Sequence, residues 1–141
     1  MQTTFDDLVE TFEFLDQWED RYRHVIDLGK AMTPIDDDLK GPETKVDGCA
    51  SQVWIIPSVE GAGPKTVISF DGDSDAIIVR GLIAVLRILF SGKTAEEILS
   101  TDVDAAMAKL GLDQHLSAQR SNGLKAMVAR VRALAEAARN T

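Results

Sequence analysis

"VWIIPSVEGAGPKTVISFDGDSDAIIVRGLIAVLRILF", residues 53–90, sets two kinds of pattern side by side. The runs "VWIIPSV" and "KTVISF" are rich in β-branched and aromatic residues, and the "EGAGP" joining them carries the glycines and proline of a hairpin loop. They predict two antiparallel strands. Pro57 has no N–H to give to a ladder, which assigns it to an edge or a bulge. After "DGDSD", the segment from Ile77 to Phe90 is apolar almost all round, with Arg80, Ala84 and Arg87 as its one narrow polar stripe. Such a segment reads as a buried central helix, because it is too short for a bilayer and holds two arginines. Asp73 or Ser74 is expected to cap it, and Asp75 to favour its positive end.

Working outward, the N-terminal side reads as two amphipathic helices. Phe5, Leu8, Val9 and Phe12 recur at i, i+3, i+4 and i+7, with Thr4 and Asp7 as a capping pair. Asp16 restarts a helix whose Trp18, Tyr22, Val25 and Ile26 share a face and which ends near Gly29. The two are expected to form a helical hairpin. "TPIDDDLKGPE", residues 33–43, cannot continue a helix and reads as a loop with at most one helical turn, its aspartates a solvated face. "KVDG" at 45–48 is expected to add a third short strand.

On the C-terminal side, Thr94 and Glu97 in "TAEE" form a capping box, and "DVDAAMAKLG" is a short helix ending at Gly111. A long terminal helix then buries Leu124, Met127, Val128, Val131, Leu134, Ala135 and Ala138 on one face. Lys125, Arg130, Arg132 and Arg139 suit the negative end of that helix. With 141 residues and no linker, the chain is expected to be one domain spanning 1–141.

Charge narrows the partners. Acidic side chains outnumber basic ones 23 to 15, and a net charge of −8 repels phosphate backbones and anionic lipid, so neither nucleic acid nor membrane is expected as a partner. One cysteine allows no internal disulfide, and no secretory n-region or apolar h-region opens the sequence, so the expected compartment is the cytoplasm. "GKT" at 92–94 has Arg87 where a phosphate-binding loop needs its first glycine. Asp71, Asp73 and Asp75 have calcium-loop spacing, but Ala76 and Leu82 stand where the turn glycine and bidentate glutamate belong. His24 and His115 lie far from each other and from the cysteine in sequence, so no metal site is expected.

That cysteine is Cys49, in "VDGCASQVW" at 46–54. Gly48 opens backbone conformations closed to other residues, and a loop beside a hairpin gives a thiol access that a helix interior denies. Thiolate sulfur is a strong nucleophile, and without a second cysteine to resolve it, such a group suits passing something to and from other proteins. The blocks "DGCASQVWI", "GDSDAIIVRGLIAV" and "HLSAQRSNGLKAM" resemble, in order and approximate spacing, the signature blocks of the SufE family, sulfur acceptors that work with cysteine desulfurases in iron-sulfur cluster assembly. The similarity runs from about Trp18 to Arg132.

The resemblance implies that Cys49 is the persulfide-carrying cysteine, taking sulfur from a pyridoxal-phosphate desulfurase of the SufS kind and holding it for a downstream Fe-S scaffold complex. The pyridoxal phosphate belongs to that partner, and this chain needs no cofactor. It is therefore read as an activator of an enzyme and not itself an enzyme. By the same resemblance, Asp75 and Arg120 fall in blocks that in this family lie near the cysteine loop and the desulfurase-facing surface, and Gln52 and Asp73 are the weaker candidates for partner contact. Arg120 lies just before the long terminal helix, where an arginine has no capping duty. The implied fold is α+β, a small antiparallel sheet with helices packed on it, also found in the scaffold IscU, and the element order read from the residues agrees with it. A scaffold role itself is disfavoured, because cluster ligation uses several thiolates. The second reading is a regulatory module that activates the desulfurase by contact alone. Cys49 is expected to rest against apolar side chains, with the "VWII" run as cover, and to swing out on docking. An edge strand with apolar residues also invites pairing into a homodimer.

Overall fold

The structure is a computed structural model that describes residues 4–141. Helix α1 (Phe5–Phe14) opens on the expected capping box, in which the Thr4 hydroxyl accepts from Asp7 N–H and the Asp7 carboxylate accepts from Thr4 N–H. Leu8 and Phe12 are its buried face. Helix α2 (Trp18–Ala31) starts one residue later than Asp16 suggested, on Gln17, with no side-chain cap. Arg21 offsets this by donating to the carbonyls of Phe12 (2.9 Å), Leu15 (2.5 Å) and Leu110 (3.3 Å), which ties α2 to the C-terminal end of α1 and to Leu110 further along the chain. The helical hairpin is joined there, and through Phe12 edge-on to His24, but the length of α2 lies on another helix.

That helix is α3 (Ile77–Phe90), the buried centre of the molecule. Its crossing with α2 is close because glycines face each other. A Cβ on Gly29 would stand 2.5 Å from Gly81 N, and one on Gly81 would collide with the backbone of Val25. Ala84 is buried with the apolar residues, so the polar stripe of α3 reduces to Arg80 and Arg87. Arg87 donates to Phe70 O (3.0 Å) and pairs with Asp71 (3.1 Å), fastening α3 to the sheet.

Strands β1 (Val53–Glu60) and β2 (Val67–Ser74) form the expected antiparallel hairpin, in register from Val53 opposite Ser74 to Glu60 opposite Val67. Pro57 lies on β1, an edge strand in the order β1-β2-β3. The third strand is not "KVDG". Residues 45–48 supply only an isolated bridge, Lys45 to Trp54, before Gly48 turns the chain away at φ 90°. Strand β3 is Lys93–Thr94, which pairs with Val67 and Ile68. Two residues are too few to show a period.

Helix α4 (Ala95–Ser100) begins on the expected Thr94–Glu97 capping box, whose hydrogen bonds from Thr94 hold the Glu97 carboxyl below the usual range. Helix α5 (Val103–Leu110) is capped by Asp102 and ends at Gly111 in the left-handed conformation, as read from the sequence. A short α6 (Leu112–His115) leads to α7 (Ala118–Arg139), whose Leu124, Met127, Val131, Ala135 and Ala138 are buried. Ser117 caps α7 through Arg120 N–H, so Arg120 sits in the first turn of the helix and not before it. The architecture is α+β: seven helices and a three-stranded antiparallel sheet among the described residues. None of these helices is long and apolar enough to cross a membrane.

Candidate functional site: the cysteine loop

The loop around Cys49 is held at both roots. Upstream, Val46 N–H donates to Val53 O and Ile55 N–H to Thr44 O, both at 2.8 Å, and Arg130 of α7 reaches over to the carbonyls of Glu43 (2.5 Å) and Lys45 (3.2 Å). Downstream, Gln52 and Asp75 hold each other: Gln52 N–H donates to the Asp75 carboxylate (3.0 Å) and Asp75 N–H to Gln52 O (3.3 Å). The segment between carries Gly48, whose positive φ disfavours a side chain. A Cβ there would press on Ala126 of α7 at 3.2 Å, so the loop lies close against that helix.

Cys49 is half-buried, and its thiol donates to Gly123 O of α7 at 3.5 Å. It lines a cavity of about 370 Å³ whose apolar wall is Ile78, Val79 and Leu82 of α3 with Leu124 and Met127 of α7. Ser117, Gln119 and Arg120, from the start of α7, are polar members of the same wall. The thiol rests against apolar side chains as expected, but the cover comes from α3 and α7. None of Val53–Ile56 lines the cavity, because Val53 and Ile55 are committed to the core. Burial pushes the Cys49 thiol above its ordinary pKa, since a thiolate there would lose hydration.

The four other residues singled out from the sequence separate into three places. Arg120 lies at the cavity, its guanidinium 5.8 Å from the Tyr22 ring. Gln52 and Asp75 latch the loop. Asp73 is only 5% exposed and pairs with Lys40 (3.1 Å) and Arg80 (3.4 Å), while also accepting from Ser74 N–H. It does not cap α3. That helix has Ala76 as its N-cap with no side-chain cap bond, and the Ser74 hydroxyl accepts only from Ala76 N–H. The Asp73 carboxylate raises the pKa of Lys40, whose ammonium also lies 5.1 Å from the Trp54 ring.

Gly123, Arg130 and Lys40 were not singled out in the sequence as site residues. The signal for Gly123 was its place in the block "HLSAQRSNGLKAM", while the arginine and lysine act on carbonyls or carboxylates distant in sequence. His115 stacks on Trp18 at 4.5 Å and His24 packs on Phe12, and neither lines the Cys49 cavity. Among the described residues no group of three or more His, Cys, Asp or Glu could hold a metal ion.

A half-buried single thiol on a latched loop, on an α+β frame, is the setting in which known proteins bear on the chain. Residues 6–135 match the SufE family, described as an Fe-S metabolism associated domain, and the chain belongs to that family. An uncharacterised SufE-like protein of Rhizobium etli is 50% identical over 129 residues, covering 92% of this chain and 87% of its own length. Another, of Rhizobium meliloti, is 46% identical over 134 residues, covering 95% and 96%. The fold is shared with a hypothetical protein from Thermus thermophilus solved in solution, with a TM-score of 0.75 over 97% of this chain and 96% of that one, at 19% identity.

Proposed function

We propose that this protein is a sulfur acceptor and carrier that takes persulfide sulfur from a cysteine desulfurase onto Cys49 and passes it on for iron-sulfur cluster assembly. Family membership supports the link to iron-sulfur metabolism. The observation that carries the rest is the half-buried Cys49 thiol, seated at an apolar cavity on a loop whose two roots are fastened independently.

The transfer is an exchange at sulfur. The Cys49 thiol gives up its proton, and the thiolate attacks the outer sulfur of a persulfide on the donor protein. A new S–S bond forms on Cys49 as the donor's S–S bond breaks, and the donor cysteine leaves as a thiolate that takes up a proton. No net oxidation occurs. The raised pKa keeps the resting Cys49 as an unreactive thiol, so attack requires the sulfur to leave its apolar seat for a setting that favours the thiolate. Arg120, at the cavity, is the cation best placed to meet the donor. The desulfurase contributes the pyridoxal phosphate, and removal of sulfur from its cysteine speeds its turnover.

The test uses intact mass after incubation with desulfurase and cysteine. The parent is expected to gain one sulfur that reductant removes, and Cys49→Ser to bind the desulfurase without gaining sulfur or stimulating it. Full stimulation by Cys49→Ser would instead favour activation by contact alone.

A further inference from the structure

Gly123 lies well inside α7, where a helix favours alanine over glycine. Its backbone is not in the left-handed region that calls for glycine. The other two helical glycines, Gly29 of α2 and Gly81 of α3, are accounted for, because a Cβ on either would run into backbone. At Gly123 a Cβ would meet, outside the helix itself, only Cys49: Sγ at 3.7 Å and Cβ at 4.0 Å, which is ordinary van der Waals contact. The protein with a free thiol therefore has no steric need of this glycine.

A sulfur bonded to Cys49 changes the geometry. An S–S bond is about 2.05 Å long, so an outer sulfur directed at α7 would stand less than about 2 Å from that Cβ. We infer that Gly123 is a positioning residue that makes room for the outer sulfur, so that Cys49 keeps one resting place over α7 whether loaded or empty. The inference rests on reading Cys49 as a persulfide carrier. In that place the added atom faces the cavity of about 370 Å³ whose lining includes Leu124, Met127 and Val79, and is slower to meet a reductant than a sulfur in open solvent. The Gly123 carbonyl, which accepts from the thiol at 3.5 Å, remains its polar neighbour.

The test compares the parent with Gly123→Ala, both loaded chemically with glutathione persulfide. The variant is expected to unfold at or slightly above the parent's temperature, and to be alkylated at its free thiol by iodoacetamide within about two-fold of the parent's rate. Once loaded, it is expected to lose the outer sulfur to a phosphine reductant about five-fold faster or more, followed by intact mass. Equal lifetimes of the two loaded proteins would overturn the inference. So would a variant that does not fold, or whose free thiol is alkylated many-fold faster, since the glycine would then serve the unloaded protein. If the parent loads from glutathione persulfide but not from a desulfurase, the proposed function fails while the lifetimes still decide the role of Gly123. A parent that accepts sulfur from neither source overturns both.

Discussion

Gly81 and Gly123 are both buried inside helices, yet a methyl group would meet very different neighbours at the two positions. At Gly81 it would strike the backbone of Val25 across the α2–α3 crossing, and at Gly123 it would touch only the side chain of Cys49 at 3.7 Å. The first glycine serves the contact between two rigid elements, where neither backbone can yield. The second borders a cavity and a side chain that can move. The molecule thus keeps its tightest packing where α2, α3 and the sheet meet, and leaves room where the cysteine loop lies on α7.

The largest effect that would sharpen this contrast is on stability. Gly81→Ala is expected to lower the unfolding free energy by about 3 kcal/mol, because backbone must shift to admit the Cβ. Gly123→Ala is expected to leave it within about 0.5 kcal/mol of the parent. Urea unfolding of the two variants checks this, and comparable losses would erase the distinction.

Next comes the ion cluster that anchors the Lys40 segment to the start of α3. Asp73→Ala leaves Lys40 and Arg80 without their shared buried carboxylate, but both cations reach solvent, so it is expected to cost about 2 kcal/mol in the same measurement. The Lys40 pKa is raised in the folded state, chiefly by its hydrogen bond to Asp73. Its contribution is therefore complete at neutral pH, and is lost only as pH climbs past the ordinary lysine range and through the raised value. A parent-minus-variant stability difference that already shrank between pH 6 and pH 9 would contradict this assignment.

The smallest effect belongs to Cys49. Burial raises its pKa in the folded chain, so its contribution to stability is complete below the ordinary thiol pKa and is lost as pH rises through the raised one. The rate of iodoacetamide alkylation is accordingly expected to rise at higher pH in the folded protein than in the urea-unfolded chain. A folded midpoint at or below the unfolded one would mean that the resting seat does not protect the sulfur.

Much of this was legible before folding, and the parts that were not share a cause. The β1–β2 hairpin, the buried α3, both capping boxes and the Gly111 stop were readable because each rests on neighbours within a few residues, where periodicity and hydrogen-bonding side chains act. β3 was missed because its two residues form a strand only against Val67 and Ile68. Local chemistry permits either Asp73 or Ser74 to cap α3. Lys40, far back in the chain, and Arg80, on α3, claim the Asp73 carboxylate instead.

The sequence by itself determined the α+β element order, the family and the one thiol available for chemistry, because these depend on residue type and spacing. Only the tertiary structure decided what surrounds that thiol. α7 and α3 form the cavity wall, Arg130 and the Gln52–Asp75 pair fasten the loop, and Gly123 lies beneath the sulfur. Those contacts join residues up to 87 positions apart, and no local pattern records them. Desolvation of a sulfur and room for a second one are properties of packed volume, and volume exists only once the helices have come together.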